Sequence, residues 1–112
     1  DGFVYTTDWA GKPVVPARMH WVLTEAINTS EVLRRVTGDD RHAADVQRWW
    51  EYADRYLVDH ERGSWHHELG PTNEVQSGTW PGKPDAYHAS QAAWMQDLPT
   101  TPSYASAIKA RG

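Results

Sequence analysis

Apolar residues recur every three or four positions from about Ala17 to Val36, which is the spacing of one face of an α-helix. The repeating positions are Met19, Val22, Leu23, Ala26, Ile27, Val32, Leu33 and Val36. Thr37 and Gly38 follow, and glycine commonly ends a helix. The pattern therefore predicts a first helix with one buried face.

A second helical segment, residues 41–60, has the most regular apolar stripe in the chain. Its members are Val46, Trp49, Trp50, Ala53, Tyr56 and Leu57. Asp39 or Asp40 can cap its start, and Gly63 lies just beyond its end. We expect Trp49 and Trp50 to pack against a neighbouring helix, because large aromatic side chains stabilise a fold most when they are buried.

Alternating residues and turn signals predict two β-hairpins. The first covers Phe3 to Val15, with its turn at Ala10 and Gly11. The second pairs residues 64–69 with residues 74–80 through the sequence Gly-Pro-Thr-Asn.

The remaining C-terminal part has the features of two short helices. Asp85 can cap a helix that runs to about Gln96, and a last helix begins near Ser103 after two prolines. The order of elements predicts an all-α fold, built mainly of helical hairpins with short β-hairpins between them.

Composition and charge narrow the possible partners. The net charge is -4 without a basic cluster, which argues against nucleic acid. No apolar run approaches the ~18 residues of a membrane helix. Cysteine is absent, which excludes disulfides and thiolate metal sites and fits a cytoplasmic location. The chain has seven tryptophans and one phenylalanine. One or two of the tryptophans are candidates for the wall of a carbohydrate pocket.

His88 is the first candidate for chemistry. It lies about one turn into the helix that Asp85 caps, beside a loop with Trp80, Gly82 and Lys83. A helix N-terminus presents free N–H groups and partial positive charge, which suit an oxygen-rich ligand. A histidine, with an unperturbed pKa of about 6.5, can remove and return a proton at neutral pH. Spacing alone supports a hydrogen-bonded packing role for His88 equally well.

Other chemistries stay open from the residues alone. His66 and His67 are adjacent, but neighbouring strand residues point to opposite faces, so the two cannot easily share one ion and no metal site is predicted. A glycoside hydrolase needs two carboxylates about 5–9.5 Å apart. Glu25, Glu68 and Asp85 are available, and no pair is marked by the sequence. A non-catalytic carbohydrate-binding module built on the tryptophans is a further alternative.

Several strings of the chain resemble the C-terminal part of the N-acylglucosamine 2-epimerase superfamily, and especially its branch of D-mannose and sulfoquinovose isomerases. These strings are GFVYTTDWAGKPVV, RMHWVLTEAI, TGDDR, WWEYADRYLVD, GSWHHELGPTN and WPGKPDAYHASQA. The string before His88 favours this branch over the 2-epimerases, which carry other residues there. A sugar 2-epimerase is the nearest alternative.

The resemblance implies an (α/α)6 barrel, of which residues 1–112 would be the C-terminal segment of a single domain. It implies isomerisation of an aldose to a ketose, of the mannose/fructose type, through a cis-enediol and without a cofactor. His88 would be the catalytic acid and base. The implied contacts with the monosaccharide are Trp21, Glu25, His67 and Asp85.

The chain also departs from the family pattern. The histidine motifs HxxEA and GHxxEW and the substrate-gripping arginine belong to earlier hairpins and do not occur in these 112 residues. We therefore expect the chain to need the missing N-terminal hairpins of the same enzyme, to be inactive alone, and to be a candidate for homo-oligomerisation.

Overall fold

The computed structural model describes residues 2–112, which form four α-helices and five short β-strands. The helices are α1 (His20–Thr37), α2 (Asp40–Tyr52), α3 (Ala86–Met95) and α4 (Tyr104–Arg111). The strands are β1 (Thr6–Thr7), β2 (Pro13–Val15), β3 (Arg18–Met19), β4 (Glu68–Leu69) and β5 (Val75–Gln76). This mainly helical architecture confirms the predicted fold class.

The predicted hairpins and helix ends are largely confirmed. Strands β1 and β2 pair antiparallel, as do β4 and β5. Gly38 ends α1 in the left-handed conformation at φ 69°, which glycine adopts without steric cost. Asp39 caps α2 by accepting a hydrogen bond from the N–H of Arg41, and Ser103 caps α4 in the same way.

The predicted start of the first helix, at Ala17, is wrong. Arg18 and Met19 instead form β3, which pairs antiparallel with β4 and completes a three-stranded sheet in the order β3-β4-β5. The partner strand lies about fifty residues away in the sequence, and its hydrogen bonds replace those of the expected helical turn. Helix α1 consequently begins at His20.

The second helix is shorter than predicted. Helix α2 ends at Tyr52 and continues as a π-helical turn over Ala53–Leu57, where the N–H of Val58 donates to the carbonyl of Ala53 at 2.9 Å. The wider turn rotates the chain, so that Tyr52, Ala53 and Leu57 are all buried. Val58 then leaves the helix and pairs with Trp65.

The hydrophobic core lies where α1, the π-helical turn and β4 meet. Its buried members are Leu23, Ile27, Tyr52, Ala53, Leu57 and Leu69. Trp49 and Trp50 pack against this core as predicted, although both stay partly exposed.

Helix α3 packs beside α1 and runs in the same direction. At the C-terminal ends, Arg35 of α1 donates to the carbonyls of Met95, Gln96 and Leu98, while the buried Glu31 accepts from Arg35. At the N-terminal ends, the rings of His20 and His88 lie edge to face, 5.6 Å apart. The helix pair thus brings two histidines to one end of the molecule.

No helix within residues 2–112 combines the length and the apolar character required to cross a lipid bilayer.

Candidate active site

The N-terminal ends of α1 and α3 form the walls of a cleft of about 520 Å³. It is lined by His20, Trp21, His67, Trp80, Asp85 and His88. Four of these six were predicted as site residues. The structure thus brings together residues that are up to 68 positions apart in the sequence (20 to 88).

Asp85 holds the start of α3 and also faces the ring of His88. Its carboxylate accepts from the N–H of Tyr87 at 2.8 Å and from that of His88 at 3.4 Å, which confirms the predicted cap. Another carboxylate oxygen lies 3.5 Å from Nδ1 of His88. Partial burial works to raise the pKa of Asp85, but the hydrogen bonds from Tyr87 and His88 hold this pKa below its usual range. His88 therefore has an ionised carboxylate beside it.

His20 is a site residue that the sequence analysis did not select. Its side chain is 1% exposed, and Nδ1–H donates to the carbonyl of His67 at 3.2 Å, because a carbonyl can only accept. Burial lowers the pKa of His20 from 6.5. The ring is therefore neutral at pH 7, with a bare Nε2 that has no hydrogen-bond partner among the described residues. In the sequence, its burial was indicated by its spacing from Leu23 and Ile27, which places the three side chains on one face of α1.

Trp80 and His67 form a stacked pair on another wall of the cleft, with ring centroids 5.1 Å apart and planes 20° apart. The buried carboxylate of Glu68 fixes the loop before Trp80 by accepting from the N–H of Gly78 at 2.5 Å and of Thr79 at 3.1 Å. Burial alone would raise the pKa of Glu68, but these hydrogen bonds bring it below its usual range. Glu68 is thus an anchor for the loop, and Trp80 is a second wall residue that was not predicted.

Trp21 supplies an aromatic face next to His88. It is partly exposed, its ring lies 6.2 Å from that of His88, and the ring of Tyr5 meets it edge-on at 5.9 Å. A flat apolar face beside an imidazole suits a ligand with both C–H and hydroxyl groups.

Glu25 is the one predicted site residue that lies outside this cleft. It is exposed one helical turn beyond Trp21 and lines a separate cleft of about 320 Å³ with Asn28, Gln91 and Tyr104. A helix advances about 5.4 Å per turn, which carries Glu25 away from the end where the histidines meet.

The carboxylates do not form the pair that a glycoside hydrolase needs. Of the three candidates, Glu68 is engaged with the backbone, Glu25 lies in another cleft, and Asp85 alone lines the cleft with His88. Within residues 2–112, a metal ion could be held by one group of donors, those of His20, Asp85 and His88, which all lie within 4.8 Å of one another.

Comparisons with known proteins agree on a sugar-converting family. The sequence model of the N-acylglucosamine 2-epimerase (GlcNAc 2-epimerase) family matches residues 1–92. Over its whole length the chain is 50% identical to a D-mannose isomerase of Thermobifida fusca, and over 96% of its length 45% identical to one of Pseudomonas cannabina pv. alisalensis. It spans only 28% and 26% of these two relatives.

Solved structures show the same fold. A D-mannose isomerase superposes with a TM-score of 0.76, and the cellobiose 2-epimerase of Spirochaeta thermophila with 0.72. Each match covers 84% of this chain and 24% of the other protein, at 23% identity. At that identity the likeness is one of fold.

Proposed function

Since this chain belongs to the N-acylglucosamine 2-epimerase family and has the fold of part of its (α/α)6 barrel, we propose that it is the C-terminal segment of an aldose–ketose isomerase acting on mannose or a similar monosaccharide. The observation that carries the proposal is His88, held by Asp85 at the start of α3 and facing a cleft with two tryptophans. Identity of 45–50% to D-mannose isomerases supports the choice of substrate class.

In this proposal His88 carries the proton between two carbons. Its neutral imidazole takes the proton from C2 of the opened aldose, and the resulting imidazolium returns it to C1 of the enediol. A second group, supplied by the rest of the barrel, moves the hydroxyl proton from the C2 oxygen to the C1 oxygen. The ionised Asp85 stabilises that imidazolium, because an opposite charge nearby favours the charged form. Trp21 and Trp80 hold the apolar side of the sugar, and His67 supports Trp80 by stacking.

The remaining residues of the site come from outside this chain in the proposal. Residues 1–112 span about a quarter of the matched isomerases, so a complete barrel must supply further hairpins and their polar groups. Homo-oligomerisation, a cytoplasmic location and independence from a cofactor stay predictions.

A sugar 2-epimerase is the second candidate, favoured by the match of residues 1–92 to the N-acylglucosamine 2-epimerase family model. In that reaction the proton returns to the opposite face of C2 instead of to C1. The products separate the two candidates, since an isomerase converts mannose to fructose and a 2-epimerase converts it to glucose.

The test uses a complete enzyme that carries this chain, for example a chimera in which residues 1–112 replace the matched segment of the Thermobifida fusca relative. We expect His88→Ala to lower kcat for mannose isomerisation by about 10²–10⁴, the usual contribution of a positioned proton carrier. His60→Ala is the matched control, because His60 is exposed beside Asp54 and away from the cleft. A near-normal kcat with only a changed KM would make His88 a binding residue and contradict the proposal.

A further inference from the structure

Three polar groups converge at one point of the cleft. A ring nitrogen of His20, a carboxylate oxygen of Asp85 and a ring nitrogen of His88 all lie within 4.8 Å of one another. Three points at such separations share a centre that is no more than about 2.8 Å from each of them, and this is the ordinary length of a hydrogen bond to oxygen. One oxygen atom can therefore contact all three groups at once.

The hydrogen-bonding character of the three groups identifies this oxygen. The carboxylate of Asp85 only accepts, and His20 offers a bare Nε2 because its Nδ1–H is committed to the carbonyl of His67. An anion would be repelled by Asp85. A metal ion bound by the same donors is the alternative that chelation tests. A hydroxyl group fits between the two imidazoles, because its one hydrogen can be donated to Nε2 of His20 and its oxygen can accept from a ring N–H of His88. Asp85 then stays the partner of His88.

We propose that His20 is a substrate-binding residue whose Nε2 accepts a hydrogen bond from one hydroxyl group of the sugar, which in turn accepts from His88. The inference rests on the proposed function and deepens it, because the bound hydroxyl would lie beside the carbon atom whose proton His88 transfers. His20 contributes an acceptor that is fixed in direction by its burial, its bond to His67 and its edge-on contacts with the rings of His67 and His88.

Three variants of His20 in the complete enzyme separate this role from packing. His20→Phe keeps a ring of similar shape and removes both nitrogens, while the backbone N–H of residue 20 still satisfies the carbonyl of His67 at 3.1 Å. His20→Gln can place its amide oxygen near the position of Nε2, and His20→Asn is too short to do so. His66→Phe is the control, because His66 lies outside the lining of the cleft.

The affinity for mannitol, a polyol that cannot isomerise, is measured by calorimetry, and KM and kcat are measured with mannose. We expect His20→Phe and His20→Asn to weaken mannitol binding and to raise KM by about 5–30-fold, the worth of one hydrogen bond to a hydroxyl. We expect His20→Gln to regain most of the affinity and His66→Phe to match the wild type. If the His20→Phe variant does not fold, the comparison of His20→Gln with His20→Asn tests whether an acceptor at the position of Nε2 binds the polyol.

The outcomes distinguish this inference from the proposed function. If the wild type isomerises mannose and all His20 variants keep its mannitol affinity and KM, the function stands and the role of His20 is overturned. If the wild type binds mannitol through His20 but makes no fructose, the hydroxyl site stands and the isomerase proposal fails. A stoichiometric metal in the purified enzyme, lost together with activity on chelation and absent from His20→Phe, would replace the hydroxyl by a metal ion and overturn the inference.

Discussion

At the residue scale, Asp85 combines two roles that substitution can separate. Its carboxylate caps α3 and places a negative charge near His88. Asparagine also caps helices but is uncharged. We therefore expect Asp85→Asn to leave the melting temperature nearly unchanged and to lower kcat by about tenfold, the effect of losing an interaction of roughly 1.4 kcal/mol with the imidazolium.

Asp85→Ala is the matched comparison, because it removes the charge and the cap together. It should lower kcat similarly and also destabilise the protein, by about 1 kcal/mol for the lost cap. Thermal melts and initial rates of the two variants check both expectations. Equal activity of the wild type and Asp85→Asn would show that the charge of Asp85 does not act on His88.

At the element scale, the position of His88 depends on how α3 is held along α1. Arg35 is the main polar link, since its guanidinium contacts three carbonyls at the C-terminal end of α3 and the buried Glu31. Glu31 has a lowered pKa because Arg34 and Arg35 donate to it, against the effect of burial. The link therefore holds a charged carboxylate inside the protein.

We expect Arg35→Ala to reduce the free energy of unfolding by about 2–4 kcal/mol, because it leaves a buried carboxylate and several carbonyls short of donors. It should also lower kcat/KM, since α3 carries His88 and Asp85 into the cleft. Arg41→Ala is the control and should change little, because its pair with Asp39 is exposed to solvent. Denaturant unfolding of both variants measures the difference, and equal effects would show that α3 is held by apolar contacts instead.

At the scale of the whole molecule, residues 2–112 are more open than a closed domain. Their radius of gyration is 15.0 Å, whereas a compact domain of this length has about 13 Å. Large apolar side chains are exposed on several elements, among them Trp9, Val36, Tyr87, Trp94 and Ile108. Such surfaces favour association with other chains or with the rest of a barrel.

We expect the 112-residue chain expressed alone to associate and to show no isomerase activity. Light scattering should detect species larger than 12.7 kDa, and a mannose-to-fructose assay should stay at background. Co-expression with the remaining part of the barrel, taken from the Thermobifida fusca relative, is the positive control. A monodisperse monomer that isomerises mannose would show that the chain is a self-sufficient enzyme.

The features that the sequence determined by itself are local. The stripe of α2, the N-terminal half of the face of α1, the glycine that ends α1, the caps at Asp39 and Asp85 and the two hairpins all depend on residues within a few positions of one another. The predicted face of α1 is wrong in its C-terminal half, where Leu33 and Val36 are exposed. Local signals also marked Asp85 and His88, and the family resemblance added Trp21 and His67. The structure places all four in one cleft.

The remaining features were decided by contacts between distant segments. Arg18 and Met19 form a strand because β4 pairs with them, and no local pattern marks a partner that far along the chain. From the sequence, His20 is one more position of a buried stripe. In the structure the carbonyl of His67 fixes its tautomer, and the ring of His88 contacts it from the neighbouring helix. Glu25 falls outside the cleft because the packing of α3 along α1 determines which turn of α1 each cleft contacts. Periodicity places a side chain on a helix face, and tertiary packing alone determines which groups that face encounters.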